Sequence, residues 1–96
     1  MNFRIISPAK EELAESALFY LHESPQAAFD FEVEVDAALT AIREAPTRYR
    51  IHARDIRVKE LDRFPFSLYY RTKGEEILIL SVAHNTRMPD FWIDRV

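Results

Sequence analysis

The chain has no cysteine and only one glycine among its 96 residues. Without cysteine there are no disulfide staples, no thiolate zinc sites and no thiol nucleophile. A single glycine cannot build the glycine-rich loops that cradle phosphates, so that class of nucleotide site is excluded. Long apolar runs are also missing. The longest stretch, Ile77-Leu78-Ile79-Leu80-Ser81-Val82-Ala83, falls far short of the ~20 residues that span a bilayer. The opening Met1-Asn2-Phe3-Arg4-Ile5-Ile6-Ser7-Pro8 lacks the apolar core of a signal peptide. These absences lead to the expectation of a cytoplasmic protein that makes no membrane contact.

The residues that are present describe a folded domain. Apolar residues make up 48% and charged residues 30%, a balance that suits a globule. The length suits one domain, here residues 1–96. Net charge is −3, but it is unevenly spread: residues 1–47 carry three basic and nine acidic side chains, and residues 48–96 carry ten basic and seven acidic. The basic excess is densest from Arg48 to Arg63. Such a two-signed chain has one face suited to anions and another suited to basic partners.

Phe3 to Ile6 reads as a short strand ended by Ser7-Pro8. Ser7 is expected as the N-cap of a first helix, with Pro8 at its first position and Glu11 and Glu12 complementing its positive end. This helix runs to about Glu23 and buries Leu13, Ala17 and Tyr20 or Leu21. Ser24-Pro25 breaks it and caps a second helix to Glu44, whose apolar stripe is Ala28, Phe31, Val35, Leu39 and Ile42. The two make an antiparallel hairpin. A basic loop follows, then strands at Ile56–Leu61, Phe66–Arg71 and Ile77–Ala83, the last two joined by a turn at Gly74. Ile77–Ala83 is apolar on both faces and is expected inside the sheet, between Phe66–Arg71 and the first strand. The expected fold class is α+β: a helical hairpin on a mainly antiparallel four-stranded sheet, in the order βααβββ, with a short carboxy-terminal tail.

The chemistry-bearing residues are Arg57, Lys59, Arg63, His84 and Arg87. Arg57 and Lys59, two apart on a strand, project from one face. His84 leaves the end of the most apolar strand, with Arg87 close behind. Such a group suits in-line attack of a ribose 2′-hydroxyl on a phosphodiester, with His84 as general acid or base and the cations stabilising the phosphorane. The same edge also reads as a docking surface, because a histidine at a strand end is more often a structural hydrogen-bonder. Phe91 and Trp92 read first as core packing folded back from Pro89. His22 and His52 read as solvated. No spacing of His, Asp and Glu indicates a metal site, and no cofactor is implied.

Several pieces together resemble the RelE/ParE superfamily, the toxins of bacterial type II toxin–antitoxin modules. They are the opening Phe3 to Leu13, Ala27-Ala28-Phe29, Pro46, Arg57-Val58-Lys59, Phe64-Pro65-Phe66-Ser67-Leu68-Tyr69-Tyr70-Arg71 and His84-x-x-Arg87-x-Pro89-x-x-Trp92. The resemblance implies the same hairpin-on-sheet fold. RelE-like members are ribosome-dependent mRNA endoribonucleases that use sheet cations and a carboxy-terminal Tyr or His, which Arg57, Lys59, Arg63, His84 and Arg87 match by position. ParE-like members lack that set and poison DNA gyrase. The closing motif is more similar to ParE-like members, called plasmid stabilisation proteins. The isoelectric point near 5.6 also departs from the basic character that ribosome binding demands. The resemblance therefore implies a ParE-like growth inhibitor that binds gyrase. The alternatives are a RelE-like nuclease acting on ribosome and mRNA, and an inactive member that only binds a partner. It also implies a cognate antitoxin, in a hetero-oligomer, whose flexible tail wraps the toxin; the surfaces this chain is expected to offer such a tail are the helical hairpin and a sheet edge at Ile56–Leu61.

Overall fold

In the computed structural model, which describes residues 2–96, β1 (Asn2–Ile5) leads into α1 (Ser7–Glu23) and α2 (Pro25–Glu44). β2 (Ile51–Ala53), β3 (Ile56–Glu60), β4 (Phe66–Lys73) and β5 (Glu76–His84) follow. One sheet holds all five strands in the order β1-β5-β4-β3-β2, with β1 parallel to β5 and every other pair antiparallel. The α+β class, the helical hairpin and the interior position of the apolar strand are all as expected.

Three local expectations are corrected. The basic loop contains the short strand β2, which pairs with β3 as Ile51↔Arg57 and Ala53↔Ile56. Among the described residues the sheet therefore has five strands, and β2 covers the expected edge at Ile56–Leu61 only over its first part, from Ile56 to Val58. Three residues are too few to show a period, and Arg54, at φ 55°, supplies the tight turn that makes the pairing possible. Second, Ile6 rather than Ser7 caps α1, without a side-chain bond. Its N–H donates to the Ile79 carbonyl at 3.2 Å, so Ile6 is the last extended residue and the helix starts at Ser7, one residue earlier than the cap rule places it. Third, Glu12 does not complement the helix end: it is turned inward and buried. The cap on α2 is as expected, with Ser24 Oγ accepting from the Ala27 N–H at 3.0 Å.

Helical spacing carries Phe31, Val35, Leu39 and Ile42 of α2 into the core, while Ala28 is only half-buried. On α1, Tyr20 rather than Leu21 faces inward, packing on Phe31 and Phe64 at ring separations of 5.1 and 4.9 Å. Phe66, Leu68 and Tyr70 of β4 meet the helices, and Phe66 joins the same aromatic cluster. The opposite face is closed by the carboxy-terminal segment. Trp92, 1% exposed, stacks on Tyr69 at 4.1 Å, and this buries the indole as the sequence led us to expect.

β1 and β5 differ in length, and this difference shapes the site. β1 covers β5 only from Glu76 to Ile79. Beyond that point β5 has no strand neighbour on this side among the described residues, and Leu80 is an extra residue opposite the Tyr69/Tyr70 step of β4. Its exposed backbone groups need other partners.

Candidate functional site

Those partners come from α1 and the chain's end. Glu12 Oε1 accepts from the Val82 N–H at 3.1 Å and from Ser81 Oγ at 2.9 Å. Arg95 donates to the Leu80 carbonyl at 3.0 Å and to the same Glu12 oxygen at 3.1 Å. A carboxylate and a guanidinium thus replace the missing strand along β5. The sequence reading gave Glu12 only a helix-end role, although a signal for a buried one exists: it lies three residues from Ala9 and four from Ser16, on the inward stripe of α1. A carboxylate on such a stripe needs a buried partner.

Arg87 approaches the other Glu12 oxygen at 3.6 Å, and its guanidinium lies 3.9 Å from the centre of the Phe91 ring. Arg87 and His84 line one side of a cleft of about 290 Å³, whose other walls are Glu12, Glu15, Ser16, Phe19, Tyr20, Phe66 and Val82. His84 packs edge-on against Phe66 at 5.1 Å. Its Nδ1 accepts from the Thr86 N–H at 3.1 Å and contacts Thr86 Oγ1 at 2.7 Å. With Nδ1 used as an acceptor, a neutral ring carries its proton on Nε2.

The other cations of the sequence-derived set lie elsewhere. Arg57 donates to the Tyr49 carbonyl at 2.7 Å. Lys59 donates to the Glu60 carbonyl at 3.2 Å and sits 5.2 Å from the Tyr49 ring centre. Arg63 is held by Glu34 of α2, through its backbone N–H at 2.7 Å and its Nε at 3.1 Å. Burial raises the Glu34 carboxyl, but bonds from Arg63 and the Asp62 backbone, with the Arg63 charge, outweigh it and leave the pKa below its ordinary value. Lys59 pairs across β4 with Leu68, which pairs in turn with Val82, so buried Leu68 and Phe66 lie between Lys59 and His84. The fold brings His84 and Arg87 together and keeps Arg57, Lys59 and Arg63 apart from them.

His52 also departs from the sequence reading, because its side chain is only 27% exposed and is held by partners. Its Nε2 contacts Asp90 Oδ1 at 2.9 Å, and its ring lies 5.2 Å from Tyr69 and 5.5 Å from Trp92. Asp90 sits in the left-handed region at φ 65°, so this pair holds a strained turn beside the buried indole. Among the described residues no group of three or more His, Asp or Glu side chains is placed to hold a metal ion, and no helix is long and apolar enough to cross a membrane.

The family profile for the ParE toxin of type II toxin–antitoxin systems, parDE, matches residues 4–89. The chain belongs to the ParE toxin family. No curated protein sequence matches it significantly. Among solved structures, it is similar in fold to a chain of the chromosomal ParDE toxin–antitoxin system from P. aeruginosa, with a TM-score of 0.77 and 22% identity over 88% of this chain and 95% of that one. At that identity the likeness is one of fold. The match to a ParE profile spans both the cleft that holds Glu12, His84 and Arg87 and the sheet cations Arg57, Lys59 and Arg63.

Proposed function

We propose that this ParE-family toxin arrests growth by binding DNA gyrase, without catalysis, and that a cognate antitoxin neutralises it. The observation that carries this reading is the dispersal of the nuclease-like set. Arg57 is tied to Tyr49, Arg63 to Glu34 and Arg87 to Glu12, while His84 is braced by Thr86. Phosphoryl chemistry needs cations converging on one phosphate within hydrogen-bond reach, and these residues do not converge. The acidic balance of the chain further disfavours a ribosomal RNA partner.

The antitoxin reading is supported by the outer face of the hairpin. Leu18, Phe19, Leu21, Phe29 and Val33 are exposed there, from 47% to 61%. Acidic side chains outnumber basic ones nine to three in residues 1–47, so a segment with apolar anchors and basic flanks complements this face. β2 already occupies the Ile56–Val58 part of the sheet edge, so the reading rests on the hairpin face.

The test is a supercoiling assay with purified chain. Loss of supercoiling at saturating toxin is expected, and unaffected gyrase would overturn the reading. The nuclease alternative keeps one specific support, the pairing of His84 with Arg87 in a cleft. It requires mRNA cleavage that His84→Ala and Arg87→Ala each abolish. Induction without an antitoxin separates both from a harmless family member, which would leave growth unchanged.

A further inference from the structure

The cleft between α1 and the end of β5 sets two carboxylates, Glu12 and Glu15, among three aromatic rings, Phe19, Tyr20 and Phe66. Glu12 is 8% exposed, and its two oxygens differ in their surroundings. Oε1 is saturated by Ser81, Val82 and Arg95. Oε2 is buried and, among the described residues, accepts no hydrogen bond. Arg87 stands 3.6 Å away, an ion pair too long for a hydrogen bond, and half of its side chain is in solvent. A buried charged acceptor without a donor is costly to leave so, and a group that brings a donor to it gains what the chain forgoes.

The surroundings select the kind of donor. A neutral donor would satisfy Oε2 alone. A cation also meets the charge of Glu15 and the aromatic rings that line the cleft. The volume of about 290 Å³ lies at the lower end of the ~300–1,000 Å³ typical of small-molecule sites, which suits a single side chain. The chain already uses this chemistry on Oε1, where Arg95 is bound at 3.1 Å.

We propose that this cleft receives one cationic side-chain group of a protein partner, a guanidinium or alkylammonium on an aliphatic stem. The group donates to Glu12 Oε2 and faces Glu15, with its stem along Phe19, Tyr20 and Phe66. Arg87, which also lies over the Phe91 ring, is the internal competitor for that oxygen. The proposal holds whichever cellular target the toxin acts on.

The test is an NMR titration of the full chain with n-butylguanidinium, using the neutral isostere n-butylurea as control. Saturable shifts are expected at Tyr20, Val82 and His84, with butylurea weaker by about tenfold or more, the usual advantage of a charged hydrogen bond. Glu12→Gln should weaken butylguanidinium by a similar factor, and Phe19→Ala by a few-fold. Arg87→Ala should tighten it several-fold, whereas Arg48→Ala, the same charge change on a distant loop, should not. Equal binding of butylurea, shifts that never saturate, or an unchanged affinity in Glu12→Gln would each overturn the proposal. If Glu12→Gln loses its dispersed spectrum, Phe19→Ala and Arg87→Ala decide, and no change in either overturns it. The gyrase assay on wild-type chain reads the proposed target separately, so the two readings fail independently.

Discussion

Glu12 and Arg95 lie 83 positions apart in the chain and are joined by a hydrogen bond of 3.1 Å. That bond ties the first helix to the carboxy-terminal segment across the uncovered part of β5. The same Glu12 oxygen also accepts from Ser81 and Val82. One carboxylate therefore does for β5 beyond Ile79 what a longer first strand would have done.

Replacing this carboxylate leaves Ser81 Oγ and the Val82 N–H without their acceptor and Arg95 with the Leu80 carbonyl alone. Glu12→Ala is expected to cost about 3 kcal/mol, the scale for breaking a buried ion pair. Glu12→Gln keeps an acceptor and should cost clearly less. Urea denaturation of both variants checks this. Equal losses in the two would mean that the carboxylate charge itself, and neither packing volume nor a neutral acceptor, holds the junction.

Trp92 fastens the other side of the sheet. It is 1% exposed, and its indole stacks on Tyr69 beside the His52–Asp90 pair. Trp92→Ala should cost about 3–5 kcal/mol. In a domain of this size that lowers Tm by more than about 12 °C. His52→Ala leaves the indole in place and should cost only about 1 kcal/mol. Calorimetry on the two variants gives the order, and a larger loss in His52→Ala would contradict it.

Stability should also fall at both ends of the pH range. Because the folded pKa of Glu34 is lowered, its contribution is present above the ordinary value of 4.5 and is lost as pH falls through the folded value. Arg63 is 65% exposed, so after solvent screening the effect stays within about 1 kcal/mol. Burial raises the Tyr70 hydroxyl, with Arg57 opposing and Tyr49 adding to the shift. Its contribution is present below 10.0 and is lost as pH rises through the folded value, when the phenolate can no longer donate to the Pro46 carbonyl at 2.7 Å. Glu34→Gln should flatten the acid limb of a stability profile and Tyr70→Phe part of the alkaline limb. Unchanged limbs in these variants would assign the titration to other groups.

Gly74 occupies the two-residue loop between Lys73 and Glu76 at φ 62°, and a Cβ there would meet nothing within 4 Å. The cost of Gly74→Ala is therefore conformational alone, about 1 kcal/mol. Gly74→Asn should cost less, because asparagine tolerates the left-handed region. Chemical denaturation of the pair would show this order, and a loss well above that size would point to an unrecognised contact.

The helices and the longer strands were legible in the sequence because their causes are local. Ser24-Pro25 breaks and caps within three residues, the stripe from Phe31 to Ile42 repeats at helical spacing, and Ile77–Ala83 is too apolar to lie anywhere but inside the sheet. The interior place of β5 and the burial of Trp92 follow from the same drive to remove apolar surface from water. β2 escaped notice because three residues carry no period, and His52 because a polar loop gives no sign of the indole beside it.

By itself, then, the amino-acid order determined the helical hairpin, the apolar strand at the sheet's centre and the set of residues able to do chemistry. The pairing of those residues was left to the tertiary structure. It joined Glu12 to Arg95 and set Arg87 beside them, placed His84 at the same cleft, and kept Arg57, Lys59 and Arg63 on partners of their own. The physical reason is range. Helix caps and hydrophobic periods act over a few neighbours, whereas a charge finds its partner only after β1 has run out at Ile5 and the end of the chain has folded back.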